Sequence, residues 1–162
     1  MELSALMEAQ RNYYRTGATR SLAFRELMLD SLYRKIREME PEIHAALQAD
    51  LGKSAFESYM CETGLTLSEI SYMKTHLRNF AAKKRVRTPI AQFPSRSYVL
   101  KEPYGCVLIM SPWNYPFMLT LEPLADAIAA GNTVILKPSA YSPATSAVIK
   151  KLIAAVFPEE YV

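Results

Sequence analysis

The stretch from Gly105 to Ser139, GCVLIMSPWNYPFMLTLEPLADAIAAGNTVILKPS, constrains the fold more than any other part of the chain. Cys106 to Met110 is a short, wholly apolar run that enters Ser111-Pro112, and Thr133 to Leu136 is a second that enters Lys137-Pro138-Ser139. Apolar runs of this length, bounded by turn residues, have the pattern of buried strands. Between them, Pro116 suits the first turn of a helix, and Gly131 suits its left-handed cap about four turns later. A strand, a helix of this length and a second strand predict a right-handed parallel crossover. Sheets of that kind bind ligands beyond the carboxyl ends of their strands, where both polar turns fall.

Ahead of this unit the pattern is helical. Leu22, Leu29, Leu32, Ile36 and Met39 recur at helical spacing behind the candidate caps Thr19 and Ser21, and Gly17 marks the end of a preceding helix. Pro41 reads as the first residue of another helix, ended by Gly52. Phe56, Met60, Thr63, Leu67, Ile70, Met73, Leu77 and Phe80 form the core stripe of a third long helix, within which Gly64 costs about 1 kcal/mol relative to alanine. Thr88 to Ser95, with Pro89 and Pro94, breaks the pattern into a linker, and Ser97 to Lys101 alternates like a strand. The predicted organisation is a helical layer over residues 1–87, a linker and strand over 88–103, and a βαβα unit over 104–162.

Composition narrows the function classes. With 50% hydrophobic and 22% charged residues, the chain is ordinary globular protein. Much of the net charge of +3 sits in Lys83-Lys84-Arg85-Val86-Arg87, after a long helix, where cations suit the helix end. No aromatic side chains are interleaved with it, so no nucleic-acid partner is expected. There is no apolar run of membrane-spanning length, and Met1-Glu2-Leu3-Ser4 has an acid where a leader would be basic, so a cytoplasmic soluble protein is expected. Cys61 and Cys106 lie far apart, and His44 and His76 are not paired with them, so neither a disulfide framework nor a metal site is expected. Both cysteines read as packing thiols, normally inert.

Ser111-Pro112-Trp113-Asn114-Tyr115-Pro116-Phe117, then Ala127-Ile128-Ala129-Ala130-Gly131-Asn132, then Leu136-Lys137-Pro138-Ser139, resembles the aldehyde dehydrogenase superfamily. Thr19-Arg20 to Arg25, Asp50-Leu51-Gly52-Lys53 and Glu102-Pro103-Tyr104-Gly105 resemble its class 3, fatty-aldehyde-like branch. The resemblance covers nearly the whole chain. It implies an α/β fold, with a helical amino-terminal layer and the first βαβα part of a Rossmann-like parallel sheet, an incomplete form of the aldehyde dehydrogenase fold. It also implies oxidation of an aldehyde to a carboxylate, NAD or NADP as cofactor, and a homodimer for the intact family member. Family members are much longer. Their nucleophilic cysteine, their water-activating glutamate and the glycine-rich turn over the pyrophosphate all correspond to positions beyond Val162. The expectation is therefore an amino-terminal fragment or truncated product, inactive alone. The alternative is a non-catalytic binding or assembly module that pairs with a complete homologue through an unpartnered strand at Ser97 to Lys101, which leaves an exposed edge.

Site residues follow from the resemblance one by one. Asn114 matches the residue whose side-chain amide stabilises the oxyanion, a contribution of roughly 3 to 4 kcal/mol where the donor is preorganised. By local pattern alone, an asparagine just before a proline-initiated helix reads more readily as a turn or cap residue. Met110, Ser111, Pro112 and Trp113 match positions that line the cofactor, and Tyr115 and Met118 match positions facing the aldehyde tunnel. Lys137 matches the lysine that binds the adenosine ribose, although a lysine at a strand end is otherwise a solvated charge. Pro138, Ser139 and Ala140 complete that turn. Ala140 departs from the usual family glutamate, whose carboxylate binds the ribose hydroxyls and repels a ribose phosphate, and its absence implies tolerance of NADP. Asp126 departs from a small or apolar residue on the crossover helix. It is expected either to face solvent or to weaken packing against the sheet.

Overall fold

A computed structural model describes residues 3–162. Helix α1 (Leu3–Arg15) is followed by α2 (Leu22–Leu51), a long spine whose Leu29, Leu32, Ile36, Ile43 and Leu47 are wholly buried. Ser21 starts α2 by accepting the Phe24 N–H at its side chain, and Gly52 ends it in the left-handed conformation at φ 69°. Pro41 does not begin a new helix: α2 runs straight through it. The ring lies on the exposed face, where water can replace the lost N–H, while Met39, Ile43 and Leu47 on the inner face hold the helix in the core.

The third helical segment is also not the uniform helix its stripe predicts. A short α3 (Ala55–Ser58) passes into a π turn, Tyr59–Thr63, before α4 (Gly64–Phe80). The extra residue of the π turn shifts the phase, so Phe56 and Met60 are exposed while Ser58, Glu62 and Thr63 are buried. Gly64 belongs to this turn, because a Cβ there would lie 2.6 Å from the Tyr59 carbonyl oxygen.

Strand β1 (Lys84–Val86) falls within the basic cluster and pairs antiparallel with β2 (Ser97–Val99), Arg85 opposite Tyr98. The strand expected to lack a partner therefore has one, contributed by residues read as the end of the helical layer. The parallel unit follows the crossover pattern: β3 (Cys106–Met110), α5 (Met118–Ala130) and β4 (Thr133–Lys137), with Cys106 opposite Thr133 and Met110 opposite Lys137. Pro116 lies just ahead of α5, and Gly131 closes it at φ 93°. Helix α6 (Pro143–Val156) then packs along α2.

Strand β3 is not buried on both faces. Val107 and Ile109 pack on the core, whereas Leu108 and Met110 are exposed on the face that α1 covers only at its start. There the buried Gln10 donates from Nε2 to the Val134 carbonyl at 2.7 Å and accepts from Cys106 Sγ at 3.1 Å, joining α1 to both strands. Along the outer edge of β4, the Val134 N–H donates to the Tyr161 carbonyl at 2.9 Å, and the Tyr161 ring packs with Tyr13, Phe24 and Phe157.

The carboxyl end of α5 is held by Arg25 of α2, whose guanidinium donates to the carbonyls of Thr19, Arg20 and Ala129. Gly131 lies directly beneath it: a Cβ would meet Arg25 Nη2 at 2.5 Å. Gly131→Ala therefore combines left-handed backbone strain with displacement of a buried guanidinium, and a loss of about 2–4 kcal/mol is expected in urea unfolding. Gly52→Ala, which has open space around its Cβ, is expected to lose less.

Candidate functional site

The carboxyl ends of β3 and β4 run into two turns that lie side by side. The Ser111 N–H donates to the Lys137 carbonyl at 3.2 Å, so the Ser111–Phe117 turn and the Lys137–Ala140 turn are physically joined. Thr120 Oγ1 donates to the Pro116 carbonyl at 2.6 Å, which leaves Ser111 Oγ to donate to Thr120 Oγ1 at 2.6 Å. This hydroxyl relay ties the strand end to the first turn of α5.

Lys137 is exposed at the strand end, and with Pro138, Ser139 and Ala140 it lines a groove of about 770 Å³ that continues along β4 to Ser146 and Ile149 of α6. Ser139 is buried. Its hydroxyl accepts the Tyr141 N–H, and its carbonyl accepts the Ser146 hydroxyl at 2.8 Å, which fixes the turn against α6. Met110 at the end of β3 and Pro112, Trp113 and Asn114 on the neighbouring turn are exposed and do not line this groove. The Asn114 side chain makes no hydrogen bond among the described residues, and its backbone carbonyl accepts from Lys53 Nζ at 3.2 Å. Tyr115 lies beneath the same ammonium, 4.2 Å from ring centroid to Nζ, and Met118 is half-buried at the start of α5.

Two residues absent from the predicted site hold the backbone of the Asn114 turn: Lys53 donates to the Asn114 carbonyl, and Glu62 accepts the N–H groups of Phe117 and Met118. Lys53 falls in the Asp50-Leu51-Gly52-Lys53 motif without an assigned role. Glu62 carried no signal, because the helical stripe places Thr63, not Glu62, on the inner face. Only the misplaced-looking Gly64 hinted at a break in phase. Asp50 holds the start of α6 in a corresponding way, accepting the N–H groups of Ala144 and Thr145 and the Thr145 hydroxyl.

Among the described residues no group of three or more His, Cys, Asp or Glu side chains could hold a metal ion, and no helix is long and apolar enough to cross a membrane. Cys61 and Cys106 are both free and half-buried.

A model for the aldehyde dehydrogenase family matches residues 1–162. The chain belongs to this family. It is 45% identical over 150 residues to the 4,4'-diaponeurosporen-aldehyde dehydrogenase of Staphylococcus aureus, covering 93% of this chain and 33% of that protein. It is 40% identical over 152 residues to aldehyde dehydrogenase family 3 member H1 of Arabidopsis thaliana, covering 94% of this chain and 31% of that one. A substrate-bound structure of Staphylococcus aureus AldH superposes with a TM-score of 0.95 at 42% identity, over 99% of this chain and 35% of that one. Betaine aldehyde dehydrogenase from Staphylococcus aureus, solved with NAD+, superposes with a TM-score of 0.84 at 26% identity, over 96% of this chain and 31% of that one. The chain thus spans about a third of the length of these relatives, and its architecture is the amino-terminal part of the aldehyde dehydrogenase fold.

Asp126 faces outward from α5 toward α4 and not into the sheet. Partial burial, then the charge and hydrogen bond of Glu69, then the charge of Glu122, push its carboxyl up to about 6. A carboxyl raised in the folded state stabilises the fold when protonated, and this contribution fades as pH rises from the unfolded value of about 3.9 through the folded one. Asp126→Asn is expected to raise the urea midpoint at pH 8 and to change it little at pH 4.5. Equal shifts at both pH values would show that Asp126 does not titrate in this way.

Proposed function

We propose that the chain forms the adenosine-side portion of the cofactor site of an NAD(P)-dependent aldehyde dehydrogenase and carries the oxyanion donor, Asn114, of the same enzyme. The observation that carries this reading is the joining of the two turns by the Ser111–Lys137 bond, which sets the ribose-binding turn beside the Asn114 turn at one sheet edge. The groove beside β4 supports the first role: its mouth carries an exposed ammonium and the buried Ser139 turn, groups suited to ribose hydroxyls. In this reading residues 1–87 are the helical layer of the cofactor domain, 88–103 a linker and oligomerisation-type strand, and 104–162 its first βαβα unit.

When bound, NAD(P) accepts the hydride that leaves the aldehyde carbon. Residues of this chain orient the adenosine end through Lys137, line the path of the cofactor with Met110, Ser111, Pro112 and Trp113, and meet developing negative charge on the carbonyl oxygen with the Asn114 amide. Tyr115 and Met118 face the aldehyde. Cys61 and Cys106 are not the nucleophile in this scheme, since Cys106 is committed to Gln10 and Cys61 lies within the π turn. The residues described therefore bind and position, and the chain is expected to show no dehydrogenase turnover alone.

A second reading is favoured by the β1–β2 arm, which exposes Ile90, Phe93, Tyr98, Val99 and Leu100. An apolar arm of this kind suits association with another aldehyde dehydrogenase chain, as in a homodimer. Co-purification with a full-length homologue, lost on Tyr98→Lys, would support it.

The cofactor reading is tested with Trp113, the only tryptophan, which is 53% exposed on the Asn114 turn. Saturable quenching by NAD+ and NADP+, corrected for nucleotide absorption, is expected; no response to either would overturn it. Ala140→Glu is expected to weaken NADP+ about tenfold or more relative to NAD+, through repulsion between the new carboxylate and the ribose phosphate.

A further inference from the structure

The buried charges nearest to the Asn114 turn belong to no role assigned above. Glu62 is wholly buried and Lys53 nearly so, and Lys53 Nζ donates to Glu62 Oε1 at 2.5 Å. A buried pair of this kind costs desolvation that Coulomb attraction offsets only when the remaining hydrogen-bonding capacity is also satisfied. Here the further side-chain partners of the pair all lie within residues 114–118. Lys53 Nζ donates to the Asn114 carbonyl and rests over the Tyr115 ring, while Glu62 Oε2 accepts the N–H groups of Phe117 at 2.9 Å and Met118 at 3.0 Å.

The backbone that presents Glu62 is itself unusual. In an uninterrupted α-helix, neighbouring residues are separated by about 100° around the axis, and the apolar stripe would carry Thr63 inward and Glu62 aside. The π turn Tyr59–Thr63 adds one residue to the turn, and both side chains become buried. It closes with the Gly64 N–H on the Tyr59 carbonyl, the same oxygen that leaves no room for a Cβ at Gly64.

We propose that Glu62, presented by the π turn and paired with Lys53, is a positioning residue for Asn114. The pair holds the Asn114–Met118 backbone from behind, at the carbonyl of Asn114 and at the first N–H groups of α5, so the Asn114 side-chain amide is aimed without being used. This rests on the reading of Asn114 as the oxyanion donor. Gly64 is the residue that makes the presentation of Glu62 possible, and Asp50-Leu51-Gly52-Lys53 supplies its counter-ion.

Amide hydrogen exchange and the side-chain amide resonances of Asn114, both read by NMR on this chain, test the proposal without cofactor or turnover. Its failure is therefore separable from failure of the cofactor reading. In Glu62→Gln, exchange at Phe117 and Met118 is expected to quicken about tenfold or more relative to Ile128 in the same helix, with the Asn114 side-chain resonances displaced. Gly64→Ala is expected to reproduce the effect without touching either charge. Should Glu62→Gln fail to fold, the Lys53→Met/Glu62→Gln double variant leaves no unpaired ion, and the Asn114 displacement is expected to persist in it. Exchange that quickens equally at Phe117, Met118 and Ile128, or Asn114 resonances unmoved in the folded variants, would overturn the proposal and leave the pair a global structural element.

Discussion

Three charged side chains from the helical layer terminate the two helices of the parallel unit, and the placement of everything at the sheet edge depends on them. Glu62 receives the first N–H groups of α5, Asp50 those of α6, and Arg25 the carbonyl of Ala129 at the far end of α5. Each charge has the sign that complements the helix end it meets, and each satisfies groups that have no partner within the helix itself. Because α5 is fixed at both ends, the position of its first turn relative to β3 follows, and with it the path of the chain from Met110 to Met118. Apolar packing of α5 between α4 and the sheet provides the bulk of the burial, but a sliding helix could keep much of that contact. Only the end contacts fix its position along its own axis.

The parallel crossover was readable from sequence because its signals are local: two short runs dominated by apolar residues, a proline near the helix start, and a glycine at its end. Ser21 and Gly52 were readable for the same reason. Pro41 was not, since a proline in the exposed face of a helix is indistinguishable by pattern from one at a helix start; the decision is made by Met39, Ile43 and Leu47 packing on both sides of it. The π turn was hidden because one extra residue shifts the stripe without changing its composition. Strand β1 has only three residues and lies among lysines and arginines, and it exists through pairing with β2, not through any pattern of its own. Burial of β3 was overestimated because an apolar run reports what a strand can cover, not what covers it.

At the site, Asn114 and Lys137 entered through family resemblance, and the family itself is established by relatives at 40% identity and above across most of the chain. The structure adds the joint between their two turns, a single backbone bond, and the Ser111–Thr120–Pro116 relay that ties the first of them to α5. The residues behind these turns carry charge in a buried place and are as specific to the arrangement as those in front. Glu62 escaped sequence reading because a lone glutamate in a helical stretch looks like any solvated surface residue, and Asp50 and Lys53 were legible only as parts of a motif without a role.

The two carboxylates at the starts of α5 and α6 also decide what the sheet edge can attract. In doubly wound folds the amino-terminal end of a crossover helix is the ordinary seat of a phosphate, drawn by free N–H groups and a positive partial charge. Both such seats in this chain are already filled from within by Glu62 and Asp50. Neither helix start therefore offers an anion receptor at this edge. The two helix starts present ends that are already satisfied from within, and they supply no electrostatic anchor for a phosphate at this sheet edge.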